Sequence, residues 1–187
     1  MDGPTWWSIA RAGGIVAWLL LLASSACGLL LAMRRTAPRL HAAWVLGLHR
    51  YLGALAIAFT GVHVVAIVAD DFVSFGWVDV LLPMTASWHP LAVTWGVIGM
   101  YLLVAVEVSS IFRRHLSPPA WRAIHLLSYA LFGVTSIHAL TAGTEARDLL
   151  SDSVVIVVGA CVVFVAVLLL VWRSAPRHRA PVPDATS

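Results

Sequence analysis

The sequence predicts an all-α polytopic membrane bundle of five transmembrane helices, with the N-terminus outside and the C-terminus cytoplasmic. Three observations predict it. Of 187 residues, 60% are hydrophobic and 11% charged, with a mean hydropathy of +0.90, whereas a soluble domain carries about 25% charged residues. Five apolar runs each reach ~20 residues, the length that crosses a ~30 Å hydrocarbon core at ~1.5 Å per residue. Basic and acidic residues alternate between the connections, so each loop has a side.

The first span runs from about Ile9 to Met33 and leaves residues 1–8 as an external N-terminus. Arg11 lies near its outer end, where a long side chain can snorkel to the interface. Arg34, Arg35 and Arg39 follow it and mark the inner face, since cytoplasmic connections collect basic residues. The second span, about Ala42 to Val68, leads into an Arg-free loop holding Asp70, Asp71 and Asp79. This loop is the longest connection, and Val78–Leu82 within it reads as a short interfacial helix. The third span, about Leu91 to Phe112, is followed by Arg113, Arg114 and Arg122. The fourth, about Trp121 to Leu140, is followed by Glu145, Asp148 and Asp152 around a single Arg147. The fifth, about Val154 to Trp172, precedes Arg173, Arg177 and Arg179 in a tail, 173–187, whose Pro176, Pro181 and Pro183 read as disordered. Spans two, three and four therefore run outward, inward and outward, and spans two and four are parallel. Trp6, Trp7, Trp77 and Trp88 fall at the outer boundary and Trp44, Trp121 and Trp172 at the inner one, an aromatic belt to which no redox role is given.

The net charge of +3 does not imply nucleic acid, because nine of the twelve basic residues, all Arg, sit beside spans. Cys27 and Cys161 both fall inside apolar runs and read as small buried hydrophobes. No CxxCH is present, so any heme is expected to be held non-covalently, as b-type. Asp2 precedes any basic residue, unlike a secretory leader.

Four histidines carry the functional signal. His49 and His63 are fourteen residues apart on span two, and His125 and His138 are thirteen apart on span four. Each separation covers roughly 20 Å of helix, most of the membrane core. Parallel spans put His49 level with His125 near the inner face and His63 level with His138 near the outer one. An ionisable side chain inside a span is costly and marks a role. Four imidazoles at two depths are what two stacked hemes require, since heme iron accepts two axial imidazoles. Helical phase fits one span better than the other. Fourteen residues return to within about 40° of the starting face, whereas thirteen leave an offset of about 140°. Span four is expected either to be distorted near Gly133, Thr135 and Ser136 or to present its histidines to different sides.

The segment His49-Arg50-Tyr51-Leu52-Gly53 through Gly61-Val62-His63 resembles the ferric reductase-like transmembrane family. So does Trp121-Arg122-Ala123-Ile124-His125, continuing through Tyr129 to His138-Ala139-Leu140-Thr141-Ala142-Gly143-Thr144. The resemblance covers about Leu40 to Arg147. That family includes the membrane core of NADPH oxidases and ferric reductases and the heme subunit of a bacterial periplasmic methionine sulfoxide reductase system. It implies that His49, His63, His125 and His138 ligate two b hemes, in an inner pair His49/His125 and an outer pair His63/His138. No GxGxxG follows the last span, and the chain runs about fifteen residues past Trp172. The donor is therefore expected to be a separate flavin reductase, bringing its own flavin, or membrane quinol.

Arg50 and Arg122 flank the inner pair and suit heme propionates, against a reading as topology-setting residues. Glu107 is the acid lying well inside a span; a salt bridge, as with Arg50, or snorkelling to the nearby interface is its first expectation, ahead of a proton relay or contact with quinol or flavin. Gly53 and Gly61 read as points of close approach or helix packing. His41, His115 and His178 read as surface residues, and His89 as a candidate for an acceptor site. The leading expectation is a diheme b-type cytochrome of the cell's inner (plasma) membrane. It would carry electrons from a cytoplasmic-side donor to ferric iron, oxygen or a periplasmic redox protein. The rivals are a quinol-oxidising cytochrome b subunit using Glu107, and a heme-free assembly or proton-pathway protein.

Overall fold

A computed structural model describes residues 3–32, 42–70 and 75–143. The fifth span, the tail 173–187, the Arg34/Arg35/Arg39 and Arg173/Arg177/Arg179 clusters, the loop with Glu145, Asp148 and Asp152, Cys161, His41 and His178 lie outside the described residues. Within them the chain is helical: α1 (Gly3–Ala32), α2 (Ala42–Val68), α3 (Trp77–Leu81), α4 (Pro90–Ile111) and α5 (Pro118–Ala142), with a short 3₁₀ turn at Arg113–His115. No strand occurs among the described residues. α1, α2, α4 and α5 are each long and apolar enough to cross a membrane.

The helix limits follow from local chemistry. α1 begins at Gly3 rather than at Ile9, because Pro4 suits a first turn and the residues up to Ile9 continue the helix without a breaker. α2 has the limits read from its apolar run. α4 opens on Pro90, and its N-cap, His89, adopts a left-handed conformation at φ 42°, uncommon for a residue with a side chain. α5 starts three residues before Trp121, because Pro118 and Pro119 fit its first turn and the Ser117 hydroxyl accepts from the Ala120 amide at 3.4 Å. The expected interfacial helix is present as α3, one residue earlier than Val78. Its start is fixed by Asp79, whose carboxylate accepts from the Gly76 amide at 2.8 Å. Tyr101 of α4 donates to the Leu81 carbonyl at 2.6 Å, which ties this connection back to the bundle.

The four long helices form two antiparallel hairpins. α1 packs along α2 and α4 along α5, while the hairpins meet more sparingly, through α1 with α5 and α2 with α4. Trp18 of α1 makes the principal polar joint between them: its indole N–H donates to Ser136 Oγ of α5 at 3.0 Å, and its ring stacks on Phe132 at 5.7 Å. The buried centre takes one residue from each long helix: Leu21, Ala56, Leu103 and Leu131. Ala56 is 0% exposed and lies seven residues from both His49 and His63. Seven residues bring a helix back to nearly the same face, so this apolar plug sits midway between two histidine levels.

At so close a crossing, extra methyl groups have no room. Ala56→Leu is expected to lower unfolding stability by about 1–3 kcal/mol, read as a drop in the thermal midpoint of the purified protein in detergent.

Candidate functional site

The space between the hairpins holds the four span histidines. His49 of α2 faces His125 of α5 with ring centroids 5.9 Å apart and planes at 80°. His63 of α2 faces His138 of α5 at 6.3 Å and 75°. Two ring pairs in this order, one near the start and one near the end of each helix, mean that α2 and α5 run parallel. Call His49/His125 the first level and His63/His138 the second.

Each ring is oriented by the helix behind it. His63 Nδ1 lies 2.6 Å from the Ala10 carbonyl of α1, and His49 Nδ1 lies 2.9 Å from the Ser24 carbonyl of the same helix. His138 Nδ1 lies 2.8 Å from the Ala92 carbonyl of α4. A carbonyl only accepts, so Nδ1 carries the proton in all three rings and donates it. The lone pair then stands at Nε2, the state in which a histidine ligates metal. The Ser24 hydroxyl adds a second tie, lying 3.0 Å from His49 Nδ1 and donating to the His49 carbonyl at 3.3 Å. His125 is held differently. Its Nδ1 is 3.5 Å from Ser110 Oγ of α4, and its ring stacks on Trp121 at 4.9 Å and 21°. Arg113 covers the indole, its guanidinium carbon 4.3 Å from the ring centroid.

α5 remains an unbroken helix through both histidines. The thirteen-residue offset is met elsewhere. Thr135 Oγ1 and Ser136 Oγ bond back to the Leu131 and Phe132 carbonyls at 2.9 and 2.8 Å, a pattern that bends helices. It falls between His125 and His138. The partners of the two rings, Ser110 and Ala92, are eighteen residues apart on α4, a whole number of turns. Both rings therefore address one stripe of α4.

A cavity of about 360 Å³ opens at the second level, lined by His63, His138, Gly14, Gly96, Trp88 and Arg11 among others. Arg11, exposed near the start of α1, also borders this cavity because α1 packs along α2 with Ala10 against His63. Arg50 and Arg122 are exposed beside the first level. Of the alternatives for Glu107, the salt bridge with Arg50 is not formed: among the described residues no ion pair joins them. Its carboxylate instead rests against Gly53, where a side chain would collide with Oε1. A methyl at Gly61 would meet nothing within 4 Å. His89 pairs with Trp88 at the head of α4, ring centroids 4.4 Å apart, and His115 accepts from Arg114 Nε at 3.0 Å. Cys27 is a buried free thiol. The Trp121 indole N–H is buried and finds no acceptor among the described residues.

Sequence reading alone missed the backs of the rings: Ala10, Ser24, Ala92 and Ser110 carry no motif, because three of them act through main-chain oxygen. The available signal was their spacing, since Ala10 and Ser24 repeat the fourteen-residue interval of His49 and His63.

Membrane-length helices enclosing facing, half-buried imidazoles at two levels define a polytopic helical membrane protein with paired histidines in its interior. The chain belongs to the family described as ferric reductase like transmembrane component, which matches residues 13–136. That match takes in α1, which the resemblance from the histidine motifs did not, and stops two residues before His138. Membership makes the chain a membrane electron-transfer heme subunit in kind. Searches of curated proteins and of solved structures each gave no match.

The pairing is testable without any cofactor. With Cys27 and Cys161 replaced by Ser, His49→Cys/His125→Cys and His63→Cys/His138→Cys should be bridged by a short bifunctional thiol reagent. The exchanged combination His49→Cys/His138→Cys should not be, as followed by mobility of the purified chain after proteolysis between the hairpins.

Proposed function

We propose that the protein is a diheme b-type membrane cytochrome. It moves electrons from a cytoplasmic-side donor, at the His49/His125 level, to an extracytoplasmic acceptor beyond the His63/His138 level. The observation that carries this reading is the separation within each histidine pair. A metal–imidazole bond of about 2 Å, plus about 1 Å from nitrogen to ring centre, taken on both sides, requires roughly 6 Å between centroids; the pairs stand at 5.9 and 6.3 Å. Each pair supplies two nitrogens, and a porphyrin supplies the other four.

When bound, a heme b supplies an iron that alternates between ferric and ferrous states and so stores one electron. The chain does the rest. His49, His63, His125 and His138 present Nε2 across the gap between hairpins. Ala10, Ser24 and Ala92 hold three of the rings in the tautomer that leaves Nε2 open. Leu21, Ala56, Leu103 and Leu131 fill the interval and exclude water, which lowers the local dielectric around both levels. Arg50 and Arg122 at the first level, and Arg11 at the second, would hold propionates as charge-assisted partners. The orphaned Trp121 N–H beside His125 is a further donor for an acidic group of the cofactor.

The membrane is the cell's inner (plasma) membrane, with the Arg-rich connections inside. With that side negative, outward movement of one electron gains ~2.3 kcal/mol per 100 mV. The donor is a separate flavin reductase or quinol, and the acceptor ferric iron, oxygen or a periplasmic redox protein. The position of Glu107 favours a second reading, oxidation of quinol by this chain: a half-buried carboxylate lies one turn from His49, against Gly53. A heme-free protein is the remaining rival.

Heme-replete expression should give two hemes per chain with reduced b-type absorbance bands; their absence ends the cytochrome reading. His63→Ala and His138→Ala should each halve the heme content and spare the first level. Reduction by quinol alone would favour the second reading, and reduction only through a flavin reductase the first.

A further inference from the structure

Three of the acceptor carbonyls behind the histidines share a feature in sequence. Four residues after each stands a glycine: Gly14 after Ala10, Gly28 after Ser24, and Gly96 after Ala92. A helical side chain covers the turn on the N-terminal side of its own Cα. The residue at i+4 therefore shields the carbonyl of residue i, whose other lone pair is already taken by the i+4 amide. Glycine there bares the oxygen and lets an imidazole settle onto it. The fit is close. A methyl at Gly14 would lie 2.9 Å from His63 Nδ1, and one at Gly96 would lie 2.8 Å from His138 Cε1 and 2.9 Å from Nδ1. At Gly28 the nearest ring atom, His49 Cε1, would be at 3.5 Å.

The fourth position breaks the rule. Fourteen residues after Gly96 comes Ser110, and its hydroxyl donates to the carbonyl four residues earlier, Val106, at 2.8 Å. The oxygen of that hydroxyl, 3.5 Å from His125 Nδ1, stands where the other three rings meet a main-chain oxygen. The repeat is thus Gly14, Leu21, Gly28 on α1 and Gly96, Leu103, Ser110 on α4, each in steps of seven. Small residues face the rings and leucines face the plug.

We infer that Gly14, Gly28, Gly96 and Ser110 are positioning residues that set the orientation and basicity of the four imidazoles through Nδ1, and that Ser110 makes the His49/His125 level electronically distinct. The inference rests on the cytochrome reading. A carbonyl that takes the Nδ1 proton makes Nε2 a more basic ligand, which favours ferric iron and lowers its potential. At 3.5 Å the Ser110 hydroxyl oxygen is a longer and weaker partner than the three carbonyls at 2.6–2.9 Å. His125 is therefore the least basic of the four, and the first level is held at a higher potential than it would have with a glycine at 110.

The test uses the full chain purified with its hemes, read by heme-to-protein ratio and by redox titration. His63→Ala identifies which titration step belongs to the first level. Gly96→Ala should halve the heme content and leave the first-level step in place, which also shows that the bundle has folded. Gly133→Ala, where a methyl meets nothing within 4 Å, is the control and should keep both hemes. Ser110→Gly should keep both hemes and move only the first-level potential, downward. The inference is overturned if Gly96→Ala keeps both hemes at unchanged potentials, or loses both while the control keeps them. It is equally overturned if Ser110→Gly leaves the first-level potential unmoved or raises it. A wild-type chain without heme sinks the cytochrome reading itself; a diheme wild type with insensitive variants sinks only this inference.

Discussion

An imidazole always carries at least one polar N–H, and inside a bilayer no water is present to receive it. Leaving such a group unpaired in hydrocarbon costs several kcal/mol. Four of them lie within the helices here, and the chain answers with the oxygen atoms of neighbouring helices. Ala10 and Ser24 receive His63 and His49, Ala92 receives His138, and Ser110 lies beside His125. Much of the bundle follows from this requirement. α1 has to lie antiparallel to α2 in the register that brings Ala10 to His63 and Ser24 to His49 together. α4 has to lie against α5 in the same manner. The two hairpins are in this sense supports, each holding a helix that bears two histidines.

The same requirement explains why hydrogen bonds and packing are not separable in this bundle. Helix pairs in membranes associate through small residues and close backbone contact, because lipid offers no hydrophobic gain. In α1 and α4 the small residues that allow close approach are also those that uncover main-chain oxygen. Between the histidine levels the logic reverses, and Leu21, Leu103 and Leu131 crowd around the fully buried Ala56. Small and large residues alternate every seventh position along α1, and the same alternation recurs on α4 with a serine at its last step.

Much of the fold was legible in the sequence, because a bilayer imposes a length and an apolar composition on any helix that crosses it. The limits of α2 follow from its apolar run alone, and α3 was visible as a short interfacial helix in an acidic loop. Helix starts were less legible where proline serves as a first-turn residue, as at Pro118 and Pro119. The level of each histidine was legible too, since parallel spans of equal rise place His49 beside His125 and His63 beside His138. What the histidine spacing could not supply was that both α5 rings face α2, as their ring contacts show. Of the readings open for Glu107, an ion pair with Arg50 is not formed among the described residues. Gly53 instead gives it a bare stretch of backbone to lie on, and glycine has many other reasons to occur in a span. The acceptors on α1 and α4 were hidden most thoroughly, since a main-chain oxygen leaves no mark on residue identity.

Splitting every imidazole pair between α2 and α5 has a consequence for biogenesis. The ribosome completes the α1–α2 hairpin well before α5 emerges, and at that moment His49 and His63 are already braced but have nothing opposite them. Neither half of the chain holds a facing pair by itself. The two pairs come into being together when α5 docks, so the last described helix to be made is the one that closes both.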